Sequence, residues 1–189
     1  MHSIWLYAQS LPKGLCVKTV RRRMSLTNFY SFHGVVTQIT DFATYPNDGR
    51  EGCYKFFTVE NTQGAIVNFV VSPSTYFVDH EMIAVGDVVT GYYDGDAPAI
   101  LIYPPQYPAL VIVKDNPNQS IKVSYFNQDL LSSDGQLKLN LSPNTLVVLT
   151  NGQQFSRYPG NRNLVVFYRY TTRSIPAQTT PYRIIVLCQ

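Results

Sequence analysis

Ser72-Pro73-Ser74-Thr75 returns 70 residues later as Ser142-Pro143-Asn144-Thr145, and this repetition decides how the chain is read. Each copy follows a glycine turn and an alternating segment, residues 64–71 in the first case and 135–141 in the second. Further on, Tyr92-Tyr93 lines up with Phe167-Tyr168 at an offset of 75. At the same offset Tyr107-Pro108-Ala109-Leu110-Val111 lines up with Tyr182-Arg183-Ile184-Ile185-Val186. Features that keep their order in this way predict two tandem units of one kind. The growth of the offset predicts a longer loop in the second copy.

Working outward, alternation of apolar and polar residues between turn signals marks strands. The first unit reads as strands over 32–39, 54–60, 65–71, 83–93 and 109–114. Asn61-Thr62-Gln63-Gly64 closes a hairpin, because glycine supplies the positive φ such a turn needs. Ser72-Pro73-Ser74-Thr75 ends the third strand, since proline lacks a donor and turns its predecessor away from helix. Ala97 to Pro108 is proline-rich and reads as an extended excursion. Its plainer role is a rigid cover over a sheet edge; its functional role is a docking surface. Asp115-Asn116-Pro117-Asn118-Gln119-Ser120 reads as a linker. Beyond it come strands over 121–126, 136–141, 146–155 (with a turn at Asn151-Gly152), 164–170 and 182–187. Only Asn127 to Leu131 offers a helical turn.

Five strands, a break after the third, and the glycine-aspartate entry Ile83-Ala84-Val85-Gly86-Asp87-Val88-Val89 into the fourth resemble the OB fold over Phe32 to Asp115. The resemblance implies small barrels. The expected architecture is all-β: residues 1–27 as an N-terminal arm or over-extended start, 28–115 as an OB-like barrel, and 116–189 as a second, diverged barrel.

Composition agrees with a β protein. Valine and isoleucine lead the aliphatic set, and the 189 residues include 14 tyrosines and 12 prolines. Charged residues make up 14%, below the usual quarter, so the surface rests on Thr, Ser, Asn and Gln. The net charge of +3 is unevenly spread. Residues 1–24 carry five bases and no acid; residues 29–115 carry ten acids against three bases, a net −7. Residues 116–189 carry two acids against seven bases, a net +5. An acidic unit and a basic unit can dock within one chain or head-to-tail between chains, and the second arrangement grows rings or filaments.

Catalysis needs a titratable group with a partner that orients it, and the chain offers little of this kind. His33 reads as a strand residue. Asp79-His80-Glu81 reads as a solvated loop, since adjacent strand residues point to opposite faces and cannot share one metal ion. No nucleophile elbow, zinc-protease motif or phosphate loop occurs. The expectation is a protein without catalytic residues, metal or cofactor. Barrels of the resembled kind often stack bases on exposed aromatics, and Tyr54, Phe56, Phe57, Tyr92, Tyr93, Tyr168 and Tyr170 are candidates. The −7 of the first unit would repel phosphate, whereas Arg162, Arg169, Arg173 and Arg183 could receive a partner in the second. Tyr103 and Tyr107 complete the candidate partner-binding set.

Three cysteines, Cys16, Cys53 and Cys188, show no metal-type spacing. Cys16 and Cys188, near opposite ends, are candidates for an intermolecular disulfide. No stretch reads as a membrane span or as a secretory signal, because Ile4 to Ala8 precedes the basic cluster. That leaves the compartment open, with assembly at a cell surface or outside the cell among the expectations. The leading expectation is a structural protein that assembles with copies of itself. The alternative is a binding module for single-stranded nucleic acid or oligosaccharide.

Overall fold

The computed structural model describes residues 27–42, 49–98 and 100–188, and the arm expected at the N-terminus lies almost wholly outside them. The all-β expectation holds: among the described residues thirteen strands in several sheets are accompanied by a single short 3-10 turn, Val78–His80. In the first half the strands are β1 (Phe29–Asp41), β2 (Lys55–Glu60), β3 (Ile66–Val71), β4 (Tyr76–Phe77), β5 (Val88–Asp94), β6 (Gln106–Pro108) and β7 (Val111–Lys114). In the second they are β8 (Ser120–Phe126), β9 (Leu137–Leu139), β10 (Leu146–Leu149), β11 (Arg162–Tyr168), β12 (Ala177–Thr179) and β13 (Arg183–Leu187).

Strand β1 is long enough to serve two neighbours. Its first part pairs antiparallel with β5, its last part with β2, and the register slips by one residue between Val36 and Gln38. The change of partner falls beside Gly34, where a Cβ would stand 2.2 Å from the carbonyl oxygen of Glu60. Only glycine lets the two backbones approach so closely. β2 and β3 form the expected hairpin, and Asn61 Oδ1 caps its turn by accepting from the amides of Gln63 and Ala65.

The proline-rich excursion does not stay a loop to its end. Gln106-Tyr107-Pro108 pairs parallel with Asn68–Val70 as β6. Two residues later the chain changes neighbour: the Ala109 amide still donates to Val70, while the Leu110 amide donates to Tyr92. β7 then runs antiparallel to β5. The hydrogen-bonded sheet of the first half runs β4-β7-β5-β1-β2-β3-β6, and β6 at one edge passes to β7 through the chain rather than through strand pairing.

The second half repeats this pairing scheme. β8 pairs with β11 as β1 does with β5, and β11 with β13 as β5 does with β7. β9 pairs parallel with β12 as β3 does with β6, and β10 parallel with β13 as β4 does with β7. Bridges Phe126–Ser132 and Leu131–Lys138 stand where the first half has the β1–β2–β3 hairpin. Asn127 to Leu130 forms a turn rather than a helical one, with Asn127 Oδ1 accepting from Asp129 and Leu131.

The repeated tetrapeptide owes its recurrence to one hydrogen-bond set. Thr75 Oγ1 accepts from the Ser72 amide and donates to Ala109 O at 2.7 Å; Thr145 Oγ1 accepts from Ser142 and donates to Pro181 O at 2.7 Å. The serine hydroxyls accept from the amides of Ser74 and Asn144. These contacts correct one alignment. Ala109 corresponds to Pro181, and the pairs Phe69–Tyr107 and Leu139–Thr179 likewise set the offset at 72. Tyr107 therefore corresponds to Thr179, and Tyr182 to Leu110. The match of Tyr107 with Tyr182 was misregistered by three residues, because aromatic identity does not report the parallel pairing that fixes this segment.

Three apolar clusters form the core. One lies within the first half around Val36, Phe57, Val59, Phe69, Val89 and Ile112. Another lies within the second around Phe126, Leu137, Leu139, Leu164, Val166 and Ile184. The third is shared: Tyr76, Val78, Val111 and Val113 meet Val123, Val148, Val165, Phe167, Ile185 and Leu187. β7, β11 and β13 are covered on both faces, which is why they read as unbroken apolar runs. On β13, Ile184 and Val186 enter the second core while Ile185 and Leu187 enter the shared one.

A polar clamp edges the shared core. Arg183 grips Asp79 through its two terminal guanidinium nitrogens at 2.7 and 2.8 Å, and its guanidinium carbon lies 3.8 Å above the Phe167 ring centroid. His80 Nε2 stands 3.0 Å from the Thr150 carbonyl oxygen. Asp79 and His80 both hold positive φ, 58° and 54°, a conformation that aims them across the junction. An acidic group of the first half thus meets a basic group of the second inside one chain.

Candidate binding groove

Between β11 and β12 the chain makes a loop that folds back on β12. Thr179 Oγ1 donates to Tyr170 O at 2.6 Å, and the Gln178 amide donates to Thr172 Oγ1 at 2.8 Å. The Thr172 amide donates in turn to Gln178 O, and Ser174 Oγ closes the tip by donating to Pro176 O. Threonines and serines recur here because their hydroxyls satisfy loop backbone that no neighbouring strand serves.

This loop walls a groove of about 660 Å³, within the usual range for ligand sites. Asn140, Arg169, Tyr170, Gln178, Thr179 and Tyr182 contribute to its lining. Asn140 Nδ2 donates to Gln178 Oε1 at 3.1 Å, which fixes the two amides side by side. The Tyr182 hydroxyl donates to Gln119 Oε1 at 3.0 Å, and the Arg169 guanidinium lies 5.6 Å over the Tyr182 ring. Among the described residues Arg169 is the one charged residue in the lining. Neutral donors and acceptors, two tyrosines and a single cation can bind a hydroxylated chain, with aromatic faces for its apolar side.

At the place of the lining residue Thr179 the first half carries a tyrosine, Tyr107. Tyr30, Tyr93 and Tyr107 make a line of rings, 6.1 Å between the first two centroids and 4.0 Å between the stacked last two. Tyr93 corresponds to Tyr168, and the strand partners of these two residues are Tyr30 and Ser120. Serine and threonine thus replace the two outer tyrosines in the second half, and Thr179 stands in the groove wall.

The expected partner-binding residues divide. Arg169 lines the groove and Arg173 is exposed on the loop beside it. Arg183 belongs to the clamp, and Arg162 lies 5.2 Å over the Phe155 ring with its Nε buried and unpartnered. Tyr107 is stacked on Tyr93, whereas Tyr103 is exposed at the end of the apolar stretch Ile100-Leu101-Ile102. Of the candidate stacking aromatics, Phe57 is buried, and burial foremost pushes Tyr92 up to about 12 and raises Tyr93 and Tyr168. Those hydroxyls stay neutral and belong to the packing. Cys53 and Cys188 are exposed thiols; Cys16 lies outside the described residues.

Asn140, Gln178 and Tyr182 escaped the sequence reading. For Gln178 a signal was present: Pro104-Pro105-Gln106 recurs as Pro176-Ala177-Gln178 at the offset of 72 set by the strand pairing. His33 stands 3.0 Å from Thr90 Oγ1, and among the described residues no three His, Cys, Asp or Glu side chains converge as a metal site would need. No described helix is long and apolar enough to cross a membrane. Searches against family models, curated proteins and solved structures find no match for this chain.

Proposed function

We propose that the chain is a tandem pair of OB-like barrels, 28–115 and 116–189, acting as a non-catalytic binding module whose second barrel takes an oligosaccharide. Support for the barrels is the chain link that takes β6 at one edge of the sheet directly to β7 near the other, with a parallel β3–β6 contact and a long first strand serving two partners. The observation that carries the binding reading is the groove: it opens in the second half beside Thr179, where the first half has Tyr107 stacked on Tyr93. Paired amides and tyrosine faces suit sugar hydroxyls and ring C–H groups. Nucleic acid needs a track of cations, and here Arg183 is engaged by Asp79 while Arg162 sits over Phe155. The test is an amide-resolved titration with neutral and acidic oligosaccharides and with single-stranded oligothymidine. Shifts at residues 169–182 and at Asn140 with a saccharide are expected. Shifts with oligothymidine alone, or none in the groove with any probe, would overturn the reading.

A second reading, self-association, is favoured by the exposed stretch Ile100-Leu101-Ile102-Tyr103. Sedimentation over a rising concentration series should show association that replacing Ile100, Leu101 and Ile102 by serine removes. A monomer at every concentration would dismiss it. The Asp79–Arg183 pair satisfies part of the charge complementarity within the chain, so the apolar stretch rather than the charge split is the contact to test.

A further inference from the structure

We infer that the saccharide taken by the groove carries a carboxylate, received by Arg169; this rests on the groove reading above. Arg169 is backed by the Tyr182 ring, yet no ion pair engages it among the described residues. The clamp shows what an arginine of this half does when a carboxylate is near, since Arg183 holds Asp79 through both nitrogens. Among the described residues no carboxylate lines the groove, so a carboxylate facing Arg169 would come from a ligand. The first half supplies a contrast. Asp94 follows Tyr93 as Arg169 follows Tyr168, so the first half carries an acid where the second carries a cation.

The planar guanidinium fork fits one carboxylate with two parallel hydrogen bonds, which a lone cation cannot do for a string of phosphates. Beside it, the Asn140–Gln178 bond uses one donor and one acceptor, leaving Asn140 Oδ1 to accept and Gln178 Nε2 to donate. A sugar presenting a hydroxyl pair next to a ring carboxylate, as uronic acids do, matches the chemistry of these three groups of the lining.

The experiment is calorimetric titration of the full chain with a galacturonic acid tetramer and with neutral cellotetraose. The acidic tetramer should bind about tenfold more tightly, and the preference should shrink with added salt because Arg169 is exposed. Arg169→Gln should close the gap between the two probes, and Arg169→Lys should restore only part of it, since the charge returns without the fork. Gln178→Ala should weaken both probes. Equal affinity for both tetramers, or a preference that survives Arg169→Gln in a chain with an unchanged melting curve, would overturn the inference and leave the groove reading standing. Absence of binding by either probe would overturn the groove reading itself.

Discussion

Replacing Phe167 by alanine tests the claim that one apolar core welds the two halves. The ring is fully buried within the shared cluster, so its loss leaves a cavity between β-layers from both halves. Truncations of this kind cost about 3–5 kcal/mol. The ring also lies 3.8 Å beneath the Arg183 guanidinium, whose loss of an aromatic partner adds up to about 1 kcal/mol. For a chain of this size each kcal/mol lowers the melting temperature by roughly 2–4 °C, so the variant should melt roughly 6–24 °C lower. Circular dichroism gives the melting curve, and native-state hydrogen exchange says which strands are affected. The decisive amides are those of β2 and β3, which belong to the first core and do not touch Phe167. If the shared core couples the halves, these amides lose protection together with those of β11. A stability loss below about 1 kcal/mol, or a split transition in which β2 and β3 keep full protection, would refute the reasoning.

Three further outcomes are expected. Gly34→Ala should cost about 1–3 kcal/mol or more in urea denaturation, because its Cβ meets the backbone of Glu60, which cannot swing aside; an unchanged midpoint would contradict the close approach. Asp79→Asn should lower stability by about 1 kcal/mol at low salt and by less at high salt, since both partners of the clamp are partly exposed; a salt-independent loss would point away from the ion pair. Burial raises the Tyr92 hydroxyl to about 12 from an ordinary value of 10, so the contribution of its neutral form is full below pH 10 and is lost as pH rises toward 12. Alkaline unfolding should therefore begin above pH 10, with Tyr92 supplying on the order of 2 kcal/mol of the slope, and Tyr92→Phe should flatten it; an identical alkaline profile in that variant would exclude the mechanism.

The sequence by itself determined what depends on neighbours along the chain. Ser72-Pro73-Ser74-Thr75 and its copy make the same turn because their serine and threonine side chains bond backbone within the tetrapeptide. The Asn61–Gly64 hairpin and the alternating strands were legible for the same reason: turn chemistry and side-chain period are local. The tertiary structure alone decided matters that rest on partners far away in sequence. Gln106-Tyr107-Pro108 became a strand because Asn68–Val70 offered it a free edge, and nothing within the excursion announces that edge. Whether Val165 or Val166 faces the shared core cannot be read from Leu164-Val165-Val166-Phe167, since a strand apolar on both faces carries no alternation to orient it. Regional sums of charge showed an acidic half and a basic half, but only the fold chose Asp79 for Arg183 and left Arg169 facing an open groove. Ion pairing reads distance between side chains, and that distance is set by packing rather than by position along the chain.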